Sequence, residues 1–167
     1  MNNMKIIFLD IDGVLNANDD FGGKSKPNPS IQGYAGISRS KVRRLANIVE
    51  QTEAKIVLVS SWKNDYEEYL KYREDLIGKY LRNKLRQFNL NIYDTTLRYE
   101  QAYGADRGHG IKEYLKTRQV TDWIILDDEI FSDYDAEILA HLVKTEEEAG
   151  LTDDLAAKAI QKLNQNN

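Results

Sequence analysis

KIIFLDIDG, residues 5–13, is a short apolar run that ends in two acidic residues and a glycine. A continuous run of this kind is typical of a strand buried on both faces of a parallel sheet. The same pattern returns in KIVLVS, residues 55–60, and in WIILD, residues 123–127. Weaker runs at 90–94 and 141–144 are two further candidates. These repeats predict a parallel sheet of about five strands.

Apolar residues recur at helical spacing between these runs, in 42–49, 66–85, 111–115 and 155–163. The candidate N-caps of these helices are Ser38 or Ser40, Asn64 and Thr152. Strands that alternate with helices favour right-handed βαβ units. The pattern therefore predicts an α/β fold, a three-layer sandwich around a Rossmann-like sheet.

Residues 16–37 interrupt this alternation. They contain both prolines of the chain and four of its glycines, and they show no sustained apolar period. We predict a flap here, directly after the first strand. The other intervals between strands are filled by predicted helices and leave no room for a folded lid. We therefore expect one domain over residues 1–167, with a small flap at 16–37 and no large cap domain.

Composition excludes several classes of protein. A hydrophobic share of 41% excludes a disordered chain, and the absence of cysteine excludes a disulfide scaffold, a thiolate metal site and a cysteine nucleophile. The apolar run near the N-terminus is too short for a signal peptide or a membrane span. We expect a cytoplasmic protein with no membrane partner, and the sequence identifies no protein partner.

Charge is unevenly distributed along the chain. The net charge is −4, but residues 24–118 hold 19 Lys and Arg against 11 Asp and Glu. Residues 127–154 hold 11 acidic residues and one basic residue, Lys144. The middle of the chain therefore favours an anionic ligand, whereas one end concentrates carboxylates.

Polar side chains stand where three of the predicted strands end. They are Asp10 and Asp12, Ser60 and Ser61, and Asp127 and Asp128. Ligands of open α/β sheets bind beyond the carboxyl ends of the strands, so we expect these side chains to share one crevice. Neighbouring carboxylates repel each other by about 4 kcal/mol per pair at an effective dielectric of about 20. Oxygen ligands without His or Cys predict that Mg²⁺ relieves this repulsion.

The ordered set of motifs resembles the haloacid dehalogenase (HAD) superfamily. FLDIDGVLN, residues 8–16, is similar to its first motif, and the hydroxyl that ends IVLVS, residues 56–60, is similar to its second. IILDD, residues 124–128, is similar to the acidic fourth motif. The third motif is a basic residue near the preceding helix, for which Arg107 is the first choice and Lys112 the reserve.

A narrower resemblance covers more of the chain. SSWK, residues 60–63, is followed by RG at 107–108, IKEYL at 111–115, HLVKT at 141–145 and GLT at 150–152. This series resembles the HAD domain of Swiss army knife RNA repair proteins, which is similar to the phosphatase half of polynucleotide kinase-phosphatases. Lys63 stands where that family tends to have arginine, so a point charge replaces a bidentate fork.

The resemblance implies a phosphohydrolase and a role for each motif residue. Asp10 would be the nucleophile that forms an aspartyl-phosphate, and Asp12 the general acid and base. Ser60 and Arg107 would complete the catalytic set by holding phosphoryl oxygens.

The same resemblance implies a metal site and a substrate site. Mg²⁺ would be held by Asp10, by Asp12 through its main-chain carbonyl, and by one or both of Asp127 and Asp128. The residues expected to bind substrate are Ser61, Lys63 and Lys112.

A site without a lid favours a large substrate that itself excludes water. We therefore expect a phosphorylated substrate, with a terminal phosphate of RNA or DNA preferred. Tyr66, Tyr69 and Tyr72 are candidates for stacking on its bases, although packing of an amphipathic helix is the better account of them. The alternatives are a phosphatase of nucleotides or sugar phosphates, a phospho-acceptor receiver and an inactive binding module. The order of motifs counts against a receiver, and the intact acidic residues count against an inactive module.

Overall fold

The computed structural model describes residues 4–17, 36–100 and 106–165. Most of the flap predicted at 16–37 lies outside these ranges. Five strands form one sheet, and every pair of neighbours is parallel. The strands are β1 (Met4–Leu9), β2 (Lys55–Leu58), β3 (Ile92–Thr95), β4 (Val120–Asp127) and β5 (Leu142–Lys144), in the order β3-β2-β1-β4-β5. The predicted parallel, Rossmann-like sheet is confirmed.

Strand order places the site. The chain adds β2 and β3 on one side of β1 and then crosses to add β4 and β5 on the other side. The order therefore reverses between β1 and β4, and a crevice opens at the carboxyl ends of strands at such a point. Leu9 pairs with Leu126 in this register, so Asp10 and Asp127 follow at the same edge.

Helices cover both faces of the sheet. They are α1 (Arg39–Thr52), α2 (Trp62–Tyr72), α3 (Leu76–Arg86), α4 (Arg107–Lys116), α5 (Ala136–His141) and α6 (Asp153–Leu163), with a 3-10 turn at Leu97–Tyr99. Ile7 and Leu9 pack with α1, α2, α3 and α6, whereas Ile6 and Phe8 pack with α4 and α5. None of the helices within the described ranges is long and apolar enough to cross a membrane.

The long helical region at 66–85 divides into two helices. Arg73 takes a left-handed conformation with φ of 63° and ends α2, and its N–H donates to the carbonyl of Tyr69. Asp75 then caps α3 by accepting from the Gly78 N–H at 2.8 Å. Asn64 as a helix cap is wrong, because α2 begins two residues earlier, at Trp62.

The other predicted caps have mixed outcomes. Thr152 caps α6 as expected, with its hydroxyl accepting from the Leu155 N–H at 3.3 Å. Ser38 occupies the N-cap position of α1, but its side chain makes no capping bond and pairs with the hydroxyl of Ser40 instead.

The loop between β5 and α6 packs against the loop that follows β1. The Leu151 N–H donates to the carbonyl of Val14 at 2.9 Å, and Gly150 beside it has φ of +61°. A Cβ at Gly150 would lie 2.8 Å from the Val14 carbonyl oxygen and 2.6 Å from Cε of Lys41. Glycine at this position therefore permits the close approach of the two loops.

We expect Gly150→Ala to lower the free energy of unfolding by about 1 kcal/mol or more, because alanine at positive φ is strained and its methyl group meets backbone. Chemical denaturation measures this change. Glu148→Ala, an exposed substitution in the same loop, serves as the control and should leave the midpoint unchanged. Equal midpoints for Gly150→Ala and the unmodified chain would contradict the packing described.

Candidate active site

Three carboxylates meet beyond the ends of β1 and β4. Asp10 follows β1, and its N–H donates to the Leu126 carbonyl at 2.9 Å, which continues the pairing with β4. Asp127 ends β4 and Asp128 comes next. Carboxylate oxygens of Asp10, Asp127 and Asp128 all lie within 4.8 Å of one another. The sheet register therefore assembles an acidic cluster from residues more than a hundred positions apart.

Asp127 is the fully buried member of the cluster. Its Oδ2 accepts from Arg107 Nη1 at 2.6 Å and from the Tyr134 hydroxyl at 3.2 Å. Its Oδ1 accepts from the Glu129 N–H at 3.0 Å. Arg107 Nη1 also lies 3.4 Å from Asp10 Oδ1. A single guanidinium thus contacts two of the three carboxylates.

Arg107 is positioned by the segment that follows β4. It is the first residue of α4, and the Asp133 carboxylate holds that end of the helix by accepting from the His109 N–H at 2.9 Å. The Phe131 ring centroid lies 4.2 Å from the guanidinium carbon, a cation–π contact. The segment after the acidic motif therefore fixes the basic residue of the site.

Burial and the neighbouring charges both act on the titratable groups of the cluster. Burial raises the pKa of Asp10 to about 8; Arg107 opposes this shift and Asp127 adds to it. Burial, followed by the charge of Asp127, raises the pKa of Asp128 to about 6. Burial acts to lower the pKa of Arg107, but Asp10 and Asp127 outweigh it and raise that pKa. One guanidinium does not neutralise three carboxylates, so the cluster suits a cation.

Gly13 allows Asp128 to approach the loop after β1. Its φ is +73°, and a Cβ there would overlap the Asp128 carboxylate. The Thr145 hydroxyl donates to the Gly13 carbonyl at 2.7 Å, and the Thr145 N–H donates to the Asp127 carbonyl at 2.9 Å. Thr145 is buried after β5 and ties the two acidic segments together.

Asp12 has a different environment from Asp10. It is exposed, and its side chain is not part of the three-carboxylate cluster. Its Oδ2 accepts from Trp62 Nε1 at 3.0 Å, and its Oδ1 accepts from Asn16 Nδ2 at 2.8 Å. These two neutral donors hold the carboxylate in one orientation beside the cluster, where solvent reaches it.

Ser60 and Ser61 follow β2, the neighbour of β1, at the same sheet edge. Ser60 is buried, and its hydroxyl oxygen accepts from the Trp62 N–H at 3.3 Å. Ser61 is exposed at the N-cap position of α2, where its side chain makes no capping bond. The structure therefore brings both hydroxyls to the predicted edge.

Lys63 is buried and bonded within the protein. Its ammonium lies 2.8 Å from Glu100 Oε2 and donates to the carbonyls of Val59 and Ser60 at 3.2 and 3.3 Å. Glu100 Oε1 in turn accepts from the Thr96 hydroxyl at 2.8 Å. The structure does not present Lys63 as a free substrate contact; it places the side chain under the loop that carries Ser60.

Glu100 also reaches the helix that carries Arg107. A Cβ at Gly110 in α4 would lie 2.9 Å from Glu100 Cγ, so the two are closely packed. The Lys63–Glu100 pair therefore connects the Ser60 loop to α4, and each of these two elements supplies a different motif of the site.

The structure distinguishes between the two candidates for the basic motif. Arg107 contacts the acidic cluster, whereas Lys112 is partly exposed and pairs with Asp135 on the segment before α5. Lys112 is not brought to the carboxylates in this arrangement.

Several residues of the site were missed by the sequence analysis. Tyr134 and Phe131 gave no signal beyond their place after the acidic motif. Thr145 lies in HLVKT and Asn16 in FLDIDGVLN, so both were within quoted motifs without an assigned role. Glu100 carried no signal, because its partner Lys63 is 37 positions away.

Comparison with known families identifies the family of the chain. Residues 6–156 match the family described as the HAD domain in Swiss Army Knife RNA repair proteins. Fold and match together define an HAD-type hydrolase. The chain belongs to this family of HAD domains, which confirms the resemblance seen in its motifs. Neither the curated proteins nor the solved structures that were compared give a match.

We expect Lys63→Met to lower the free energy of unfolding by about 3–5 kcal/mol, because it leaves the Glu100 carboxylate buried without its partner. Lys63→Met combined with Glu100→Gln should recover part of this loss, and Lys63→Arg should retain the pair. A double-mutant cycle by chemical denaturation measures the coupling. Additive effects of the two substitutions would contradict a direct ion pair.

Proposed function

We propose that the protein is a Mg²⁺-dependent phosphomonoesterase that acts through an aspartyl-phosphate on Asp10. The observation that carries this proposal is the cluster of Asp10, Asp127 and Asp128 against Arg107, at the point where strand order reverses. Membership of a hydrolase family supports the reaction class and leaves the receiver alternative without support.

The donor set fits a hard divalent cation. Three carboxylates supply only oxygen ligands, and Arg107 is the one cation in contact with them among the described residues, so part of their negative charge is uncompensated. Asp10, Asp127 and Asp128 would hold Mg²⁺ together with the main-chain carbonyl of Asp12. When bound, the ion supplies neutralisation of the carboxylates and of the phosphoryl oxygens.

In the first step, a carboxylate oxygen of Asp10 attacks phosphorus in line with the ester oxygen of the substrate. The bond from Asp10 oxygen to phosphorus forms as the ester P–O bond breaks. Asp12 donates a proton to the departing oxygen, so an alcohol leaves. The exposed position of Asp12, with Trp62 and Asn16 holding its two oxygens, supports this role.

In the second step, Asp12 accepts a proton from water, and the oxygen of that water attacks phosphorus. The bond between phosphorus and Asp10 breaks, which releases inorganic phosphate and restores the Asp10 carboxylate. Asp12 thus returns to its protonated form, and atoms and charge balance over the two steps.

Arg107 and Ser60 are proposed to hold the other phosphoryl oxygens. Arg107 is the better candidate than Lys112 because it already contacts Asp10. Ser61 is proposed as a further substrate contact because it is exposed at the N-terminus of α2. In this proposal Lys63 does not contact the substrate; it stabilises the Ser60 loop by donating to the carbonyls of Val59 and Ser60.

We propose the terminal phosphate of a polynucleotide as the substrate. The family description, which names RNA repair proteins, supports this choice. The described residues between Asp12 and Ser60 form α1 and β2 and no folded lid, which supports the choice of a large substrate. A panel of 3′- and 5′-phosphorylated oligonucleotides, mononucleotides and sugar phosphates tests it. Faster turnover of mononucleotides would favour the small-molecule alternative instead.

We expect Asp10→Asn to abolish release of phosphate from an aryl phosphate in the presence of Mg²⁺, with a loss of about 10³-fold or more. Asp12→Asn should slow turnover of a phosphorylated oligonucleotide by about 10²–10⁴-fold, because its alcohol leaving group needs a proton. The loss for an aryl phosphate should be smaller, since phenolates leave more readily. Wild-type rates in Asp10→Asn would exclude Asp10 as the nucleophile.

We expect Mg²⁺ to raise the thermal unfolding midpoint of the protein. At a Mg²⁺ concentration of a hundred times the dissociation constant, the free energy of unfolding should increase by about 2.7 kcal/mol. Asp128→Asn should remove most of this rise because it removes one carboxylate of the cluster. Asp154→Asn, an exposed substitution in α6, is the matched control and should keep the rise. Equal rises in Asp128→Asn and the unmodified chain would argue against a metal in this cluster.

A further inference from the structure

One surface of the protein is strongly basic although the chain as a whole is acidic. Helices α1 and α3 together carry eight Lys and Arg and a single acidic residue, Glu50, and all of these cations except the buried Lys41 are at least partly exposed. The net charge of the whole chain is −4. Two neighbouring helices thus concentrate the positive charge that the sequence showed in its middle region.

Aromatic rings lie among these cations. The guanidinium carbons of Arg39 and Arg43 are 4.9 and 5.8 Å from the ring centroid of Phe88. The Lys84 ammonium is 5.3 Å from the ring centroid of Tyr80. We call the surface formed by Arg39, Arg43, Tyr80, Lys84 and Phe88 the α1–α3 face. Arg39 and Arg43 are exposed, and the other three residues are partly exposed.

The cations of the α1–α3 face are available for a ligand. Arg39 donates to the neutral amide of Gln87 at 3.2 Å. By contrast, Arg44 on the same helix is paired with Asp153. Within the described ranges, no salt bridge joins Arg39, Arg43 or Lys84 to an acidic residue.

The α1–α3 face is connected to the candidate active site. The Tyr80 ring lies 6.5 Å from that of Trp62, and Trp62 Nε1 donates to Asp12. The Tyr80 hydroxyl accepts from the Ile37 N–H at 2.9 Å, directly before α1. The Trp62 ring therefore lies between Tyr80 of the face and Asp12, the proposed proton donor to the leaving group.

We propose that the α1–α3 face binds the single-stranded body of a polynucleotide whose end lies at Asp10. Exposed cations without an acidic partner among the described residues suit a phosphate backbone, and aromatic rings beside guanidinium and ammonium groups suit bases. An acidic protein segment would use the cations but gain little from the rings. This inference rests on the proposed function, because it assigns a binding surface to the nucleic-acid chain whose terminal phosphate lies at the same site.

The first test measures binding of a fluorescent single-stranded RNA of about 12 nucleotides, a length within the usual range for such surfaces. The RNA carries no terminal phosphate and Mg²⁺ is omitted, so binding does not depend on the reaction. Arg39→Gln with Arg43→Gln should weaken binding about tenfold. The slope of log affinity against log salt should fall by about 0.7 for each phosphate that the variant no longer neutralises.

The matched control is Lys116→Gln with Lys158→Gln, which changes the net charge equally on exposed positions of α4 and α6. It should leave RNA affinity unchanged. Equal weakening in the two double variants would overturn the proposal, since it would show a response to overall charge. Unchanged affinity in the Arg39 and Arg43 variant would overturn it as well.

The second test separates a polynucleotide from other polyanions. Phe88→Leu should weaken binding of the RNA about fivefold and binding of inorganic polyphosphate less, because polyphosphate has no bases to stack. Thermal unfolding of this variant checks that it is folded. Equal weakening for the two ligands, or equally tight binding of acidic lipid vesicles, would overturn the assignment to a polynucleotide.

These results are distinguishable from failure of the proposed function. If aryl phosphate is hydrolysed through Asp10 but Arg39→Gln with Arg43→Gln binds RNA normally, the phosphatase stands and the α1–α3 face is wrong. If the Arg39 and Arg43 variant loses RNA affinity but the unmodified chain releases no phosphate, the face stands and the proposed reaction is wrong.

Discussion

The contact of Arg107 with Asp127 and Asp10 is the interaction on which the rest of the site depends. The parallel pairing of β1 with β4 forces two buried carboxylates together, and their repulsion would oppose folding without a neighbouring cation. Arg107 supplies that charge from the start of α4. Because Asp128 adds a third carboxylate, neutralisation by Arg107 stays incomplete, and the proposed divalent ion would supply the missing positive charge.

The surroundings of this contact keep the carboxylates from relaxing apart. Thr145 bonds to the backbone of both acidic segments, and Gly13 lets Asp128 come close to the loop after β1. The Lys63–Glu100 pair holds the neighbouring hydroxyl loop against α4. Thr145 and Lys63 are buried and bonded within the protein, so they preorganise the site without facing a substrate.

Two acidic residues two positions apart in the chain have opposite environments, and this difference supports their different proposed roles. Asp10 is buried next to Arg107, as suits a nucleophile held in one direction. Asp12 is exposed and held by neutral donors, as suits a group that exchanges protons with a leaving group and water. The buried Trp62 ring contacts both Asp12 and Tyr80, so it connects the site to the helices of the α1–α3 face through the interior of the protein.

The sequence by itself determined the parallel sheet and the acidic residues at its edge. A strand that is buried on both faces appears in the sequence as a continuous apolar run, and the polar residue that follows the run marks the end of the strand. It left Arg107 and Lys112 as alternatives, since both stand near the start of one helix and only the packing of α4 selects the residue that reaches Asp127. It also assigned Lys63 to substrate, whereas the fold pairs this residue with Glu100. Only tertiary structure decides such pairings, because they join side chains whose separation along the chain leaves no local pattern.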